Sequence, residues 1–221
     1  MKDLIEMDWK KIIDHTVLKS STNLQEIKKL CKEAEDFGFG AVCVSPYYVS
    51  ECARLLADKD IKIATVIGYP MGYSCIPAKV EEIKRAIDEG VDELDIVINL
   101  NAVKSSNWNY VKHDIETTTR AAHMRGKVVK IIFENELCSK EEIKQIIQIC
   151  NDVEPNFVKT STGNNSYVTN AEDIKFIKSI LNPVIKIKAS SGISTLKQIE
   201  LLVEAGADRI GTSSAVKIFG S

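Results

Sequence analysis

The chain has 221 residues, enough for one well-buried domain and short for two. Its 44% hydrophobic and 27% charged residues make an ordinary globular balance, and a net charge of −2 invites neither nucleic acid nor an anionic membrane. A small phosphorylated substrate stays open, because it needs only a local positive site.

In chain order, short β-branched runs alternate with amphipathic stretches. A strand is predicted over residues 12–17 and a helix over 24–37, where Leu24, Ile27, Leu30 and Cys31 recur at helical spacing. Strands over 41–45 and 62–68 follow, then a helix over 77–89 and a strand over 93–100. The fifth strand is expected over 127–134. Ser139 and Glu142 then form a capping box ahead of a helix over 140–151. Strands over 157–161 and 184–189, a helix over 196–204 and a last strand over 209–212 complete the pattern. Gly38, Gly90, Gly126 and Gly206 each stand just before a strand, as helix stops do.

This alternation argues for an all-parallel sheet with crossover helices. Eight units in this length fit an α/β fold with residues 1–221 in one domain, a (β/α)8 or TIM barrel. A doubly wound open sheet is the competing architecture. Nucleotide binding has little support, since Gly38 and Gly40 precede their strand and lack the third glycine of a dinucleotide turn.

Asp3 and Glu6 stand where a signal peptide needs an apolar run, and no stretch approaches the roughly 18 apolar residues of a membrane span. The six cysteines (Cys31, Cys43, Cys52, Cys75, Cys138 and Cys150) form no Cys-x-x-Cys pair, and three of them fall in expected helices. Reduced thiols in a cytoplasmic protein are the expectation. His15, His113 and His123 make no metal-like cluster.

Strands of a parallel barrel are covered on both faces and should read as apolar throughout. Here several break that rule with a period of two. Leu94, Ile96 and Ile98 share one face of their strand, while Asp95, Val97 and Asn99 share the other. Val129, Ile131 and Phe133 oppose Lys130, Ile132 and Glu134. Phe157, Lys159 and Ser161 share a face, and Ile185 and Ile187 oppose Lys186, Lys188 and Ser190. The apolar sets must face the helices, so Asp95, Lys130, Glu134, Lys159 and Lys188 are expected to converge inside the barrel. A buried charge is costly unless paired, so the cluster is either a structural ion-pair network or a site of chemistry. Active sites of this fold lie at the C-terminal ends of the strands.

Lysines in proximity suit one kind of chemistry. A free lysine titrates near 10.4, so about one molecule in 2,500 is a neutral amine at pH 7. Attack on a carbonyl needs that neutral amine. Lowering a lysine pKa by roughly three units costs about 4 kcal/mol of protonated-state stability, which burial and a second ammonium nearby can supply.

Seven segments, in order, carry a family resemblance: DHTVLK (14–19), AVCVSP (41–46), TVIGYP (65–70), ELDIVIN (93–99), FVKTSTG (157–163), IKASSG (187–192) and RIGTSS (209–214). Together they resemble the deoxyribose-phosphate aldolases, over almost the whole chain. The resemblance implies a class I aldolase on a (β/α)8 barrel with no metal and no cofactor. It implies that Lys159 is the Schiff-base lysine, that Lys188 is the second lysine activating it, and that Asp95 relays protons with Lys188. The implied reaction cleaves 2-deoxy-D-ribose 5-phosphate reversibly to acetaldehyde and glyceraldehyde 3-phosphate. A homo-oligomer, dimer or tetramer, is expected with it.

In this fold a phosphate often sits on backbone N–H groups after the seventh and eighth strands. The expected binding residues are therefore Ser191, Gly192 and Ser194, then Gly211, Ser213 and Ser214, with Thr162 and Gly163 from the side and Cys43 and Lys130 lining the pocket. Plain loop-and-cap chemistry is the other reading of these glycines and serines. The family usually has Gly-Gly-Ile/Val-Arg after the second lysine, where this chain has Ser191-Gly192-Ile193-Ser194, so a glycine and an arginine are missing near the expected phosphate. Asn101, Ser45 and Asn135 are further departures, and residues 218–221 end without the tyrosine of some members. Three other functions compete: a related Schiff-base barrel for another aldehyde, a non-catalytic sugar-phosphate-binding barrel, and a phosphate-binding isomerase. The isomerase is disfavoured, since no histidine falls at the C-terminal end of a late strand.

Overall fold

The structure, a computed structural model, describes residues 8–220; residues 1–6, expected not to form a signal peptide, lie outside them. Eight parallel strands close into a barrel in chain order: β1 (Ile13–Val17), β2 (Ala41–Val44), β3 (Lys62–Ile67), β4 (Glu93–Val97), β5 (Val128–Ile132), β6 (Phe157–Lys159), β7 (Lys186–Ser190) and β8 (Arg209–Thr212). Pairing of β8 back onto β1 excludes the open doubly wound sheet. The crossover segments hold α1 (Leu24–Phe37), α2 (Val49–Leu55), α3 (Ile76–Asp88), α4 (Leu100–Lys104), α5 (Trp108–His123), α6 (Lys140–Val153), α7 (Ala171–Ile180) and α8 (Leu196–Glu204), and α9 (Ala215–Phe219) follows β8.

The period-two pattern explains the packing. Leu94, Ile96, Val129, Ile131, Val158 and Ile187 point outward and are buried against helix residues such as Ile27, Leu30, Ile83, Ile115 and Ile146. Each such side chain contributes about 1.5–3 kcal/mol by leaving water. The opposite face fills the barrel with polar groups, so the hydrophobic core is a cylinder between strands and helices.

Helix starts follow their caps. Ser139 accepts the Glu142 N–H while the Glu142 carboxylate accepts the Ser139 N–H, and Asn23, Asn170 and Thr195 begin α1, α7 and α8 with boxes of the same kind. Gly38 ends α1 in the left-handed region, where a glycine carries no steric cost.

Several strands stop earlier than their apolar runs suggest. β4 ends at Val97, because Asn99 leaves the sheet to cap α4 by accepting the Ala102 N–H. β5 ends at Ile132, and the chain turns left-handed at Glu134 (φ 51°). These early exits build the loops at the C-terminal rim. Among the described residues, no helix is long and apolar enough to cross a membrane.

Candidate active site

Parallel register brings the inward polar residues of neighbouring strands side by side. Asp95 on β4 pairs with Lys130 on β5, Lys159 on β6 with Lys188 on β7, and Lys188 with Arg209 on β8. Asp95 is the hub. Its Oδ2 accepts hydrogen bonds from both Lys159 Nζ (2.8 Å) and Lys188 Nζ (2.7 Å), and its Oδ1 accepts one from Lys130 Nζ (2.8 Å). Below it, Lys130 pairs with Glu93 at 2.6 Å, and Lys188 pairs with Asp14. Arg209 Nε donates to Asp14 Oδ1 at 2.7 Å, and its other arm reaches Glu93 at 3.2 Å.

Four cations thus face three carboxylates, which leaves one positive charge in surplus. Each buried ion has direct partners, as a low-dielectric interior requires. Burial works against the charge on Asp95, but Lys130, Lys159 and Lys188 overcome it and hold the carboxyl well below its usual range. Asp14 behaves alike: burial raises it, while Lys188, Arg209 and Lys130 bring it down to about 2. Burial alone would strip Lys188 of its proton, yet Asp14 and Asp95 raise its pKa above the ordinary lysine value. Asp14 and Asp95 thus favour the charged form of Lys188 beside Lys159.

Above this network opens a cavity of about 660 Å³ at the C-terminal ends of the strands. Of the seven charged side chains, only Lys159 lines it. Asp95 and Lys188 are fully buried beneath. The loops around the opening bring Thr162 and Gly163 after β6, Ser191, Gly192 and Ser194 after β7, and Gly211, Ser213 and Ser214 at the end of β8. Gly192 lies so close under Val168 that a Cβ would approach it to 2.6 Å, and its φ of +69° suits glycine. Ser191 also has a positive φ, 89°, and donates its hydroxyl to the Tyr167 carbonyl.

Cys43 and Lys130 are not on the cavity. Cys43 is buried deeper, in a small apolar cluster with Ala64 and Val66, and Lys130 is spent on Asp95 and Glu93. Glu134 does not join the lysines, since the left-handed turn carries its carboxylate to the backbone N–H of Thr162. Lys186 shares the parity of Lys188 but lies at the opposite rim, exposed, 5.8 Å from the centre of the Phe157 ring.

Other lining residues escaped the sequence reading. Tyr69 reaches over the cavity, its hydroxyl 3.3 Å from the Thr162 carbonyl, and burial first, then Cys43 and Glu134, pushes its pKa up to about 12. Thr16, Leu18 and Lys19 enter from the end of β1. Glu93 carried a signal, because it lies two residues before Asp95 and so on the same face. Asp14 and Arg209 stand in segments that carry the family resemblance, but nothing local marked their pairing, for the two become neighbours only when the ring closes.

Known proteins similar to this chain are aldolases. Residues 10–221 match the DeoC/LacD family of aldolases. A deoxyribose-phosphate aldolase of Thermococcus gammatolerans is 42% identical over 217 residues, covering 97% of this chain and 96% of that protein. One from Caldicellulosiruptor saccharolyticus is 43% identical over 209 residues, covering 94% and 95%. Among solved structures, the aldolase QR15 superposes with a TM-score of 0.91 at 39% identity, covering 96% of this chain and 94% of that one. The deoxyribose phosphate aldolase of Aeropyrum pernix, described as a unique tetramer, gives 0.90 at 31%, covering 97% and 90%. The chain belongs to the DeoC/LacD family of aldolases.

Proposed function

We propose that this chain is a class I aldolase that reversibly cleaves 2-deoxy-D-ribose 5-phosphate to acetaldehyde and D-glyceraldehyde 3-phosphate through a Schiff base on Lys159. One observation carries the assignment: Lys159 is the single member of the buried charge network that reaches the cavity, and the network holds one cation too many. Without the Lys159 proton, three cations balance three carboxylates. The resulting free amine faces the space a sugar would occupy.

The Lys159 amine adds to C1 of the open-chain sugar, giving a carbinolamine that loses water to form a cationic imine. The imine accepts the electron pair of the C2–C3 bond as that bond breaks and the 3-hydroxyl gives up its proton. Glyceraldehyde 3-phosphate leaves. Protonation of the enamine at C2 and hydrolysis then release acetaldehyde and the free lysine.

Asp95 suits the proton transfers, with Lys188 and an ordered water. Asp95 holds two of the lysine nitrogens on one oxygen, Lys159 at 2.8 Å and Lys188 at 2.7 Å, so its carboxylate stands directly beside the nitrogen that becomes the imine. Lys188 supplies a positive charge on the same carboxylate oxygen as the reacting nitrogen. The loops bearing Thr162, Gly163, Ser191, Gly192, Ser213 and Ser214 are assigned to the sugar and its phosphate, with Ser194 at the edge. Supporting roles inside the barrel go to Cys43 and Lys130. A cytoplasmic location and a homo-oligomeric state, dimer or tetramer, complete the proposal. The tetramer of the Aeropyrum pernix protein supports the latter.

Borohydride trapping with acetaldehyde, followed by peptide mass mapping, tests the chemistry. One imine formed and reduced adds about 28 Da, and that mass is expected on Lys159 and absent from Lys159→Ala. Turnover of the variant is expected to drop by at least about 1,000-fold. A folded wild-type protein without the adduct would overturn the mechanism and leave a binding barrel.

A further inference from the structure

The phosphate end of the cavity poses a charge problem. A phosphate monoester brings close to two negative charges at neutral pH. Only Lys159 and Lys19 line the cavity as cations, and Lys159 is committed to Asp95 and to the imine. The serines at the rim are neutral. Several backbone donors there are also taken: the Ser194 and Thr195 N–H groups both donate to Gln198 Oε1, at 2.9 and 3.1 Å. The Ser214 N–H donates to Thr212 Oγ1 at 2.9 Å, and the Asn164 N–H to Thr162 Oγ1 at 3.1 Å. The first turn of α8 is thus closed by its own capping box, and backbone N–H groups at the rim carry no net charge to set against that of the phosphate.

Lys19 stands on the correct side of the barrel. Because β7 pairs β8 and β8 pairs β1, the loops after these three strands are contiguous, and Lys19 shares the cavity with Ser194, Ser213 and Ser214. Its carbonyl accepts the Thr22 N–H, which fixes the turn after β1. Its side chain is exposed and, among the described residues, makes no ion pair. The one carboxylate on the cavity, Glu26, is held by the Asn23 N–H in the α1 capping box. An exposed ammonium at the rim meets an incoming anion without the desolvation cost of a buried one.

We propose that Lys19 is the specificity-determining cation of this cavity, meeting the substrate phosphate at the rim formed by the loops after β7, β8 and β1 and so separating phosphorylated from unphosphorylated sugars. This deepens, and rests on, the reading of the site as an aldolase for a phosphorylated sugar.

The test compares wild type, Lys19→Gln and Lys19→Arg on 2-deoxy-D-ribose 5-phosphate and on 2-deoxy-D-ribose. Lys19→Gln is expected to lower the preference for the phosphorylated sugar, as the ratio of kcat/KM values, by about tenfold. Most of that loss should lie in KM, and Lys19→Arg should recover most of it. Calorimetric titration with inorganic phosphate needs no turnover, and there Lys19→Gln is expected to bind about tenfold more weakly. An equal loss on both sugars, or unaltered preference and phosphate affinity, would overturn the proposal. The two readings fail separately: a wild type without the acetaldehyde adduct on Lys159 defeats the aldolase, while the phosphate titration still decides the role of Lys19.

Discussion

Glu134 stands where β5 gives way to its loop. Its carboxylate is 2% exposed and accepts the Thr162 N–H with both oxygens, at 3.1 and 3.2 Å. Burial is the largest influence on it and Glu136 adds repulsion, and together they outweigh the Thr162 hydrogen bonds and raise its pKa to about 7. The folded value lies above the unfolded one, so between roughly pH 4.5 and 7 the folded protein holds a proton that the unfolded chain releases. Stability therefore falls as pH rises through that window, by up to about 3 kcal/mol, and is level above it. Glu134→Gln removes this dependence. Urea unfolding at pH 5 and pH 8 should show the variant gaining on the wild type at the higher pH. An equal difference at both pH values would mean that Glu134 ionises normally. The sequence pattern put this residue among the barrel lysines and was wrong there, because alternation assigns a face only while the chain remains a strand, and a single left-handed residue cancels it.

At the scale of elements, a second buried pair holds the barrel wall. Lys79 on α3 is fully buried and donates to the Asp114 carboxylate on α5 at 2.6 Å and to the Val97 carbonyl at 2.8 Å. The same Asp114 oxygen accepts the Asn99 N–H at 3.1 Å. Two helices thus grip the end of β4, two residues beyond Asp95. Gly68 leaves room for the lysine stem, since a Cβ there would lie 3.0 Å from Lys79 Cε. Burial lowers the pKa of Lys79 and raises that of Asp114, each against the pull of its partner. Replacing one partner strands the other. Asp114→Ala is expected to cost about 3–5 kcal/mol, or roughly 10 °C in Tm for a chain of this size. Lys79→Met with Asp114→Leu should cost clearly less than Asp114→Ala alone, as thermal unfolding of both variants would show. A double variant as unstable as the single one would refute the pairing.

The helices themselves were legible, as α1 and the Ser139 box of α6 illustrate. This pair was not. A hydrophobic stripe identifies the buried face of a helix by its apolar residues, and a lysine inside that stripe has no local mark when its acid lies 35 residues away.

For the whole molecule, the decisive event is ring closure, and its charges come from opposite ends of the chain. Asp14 on β1 pairs with Lys188, 174 residues on, and with Arg209, 195 residues on. No local pattern forecasts those partners, so the βα alternation indicated a barrel while the floor of the site stayed only half visible. Every strand now has two neighbours, which leaves no exposed edge and favours a single cooperative unfolding transition. Arg209 joins the last strand to the first through Asp14 and to β4 through Glu93. Arg209→Leu would leave both carboxylates short of a partner and is expected to cost about 3–5 kcal/mol at pH 7. The penalty should itself depend on pH. Arg209 helps hold Asp14 near 2, below its unfolded value, so the stability drawn from ionised Asp14 is present above about pH 4 and disappears as pH falls toward 2. With Arg209 gone, less of that stability exists to lose. Urea midpoints should therefore show a wild-type advantage that is level from pH 8 to about 4.5 and shrinks in more acid solution. An advantage unchanged at pH 3 would mean that Arg209 acts through packing of its stem, not through the charge that closes the ring.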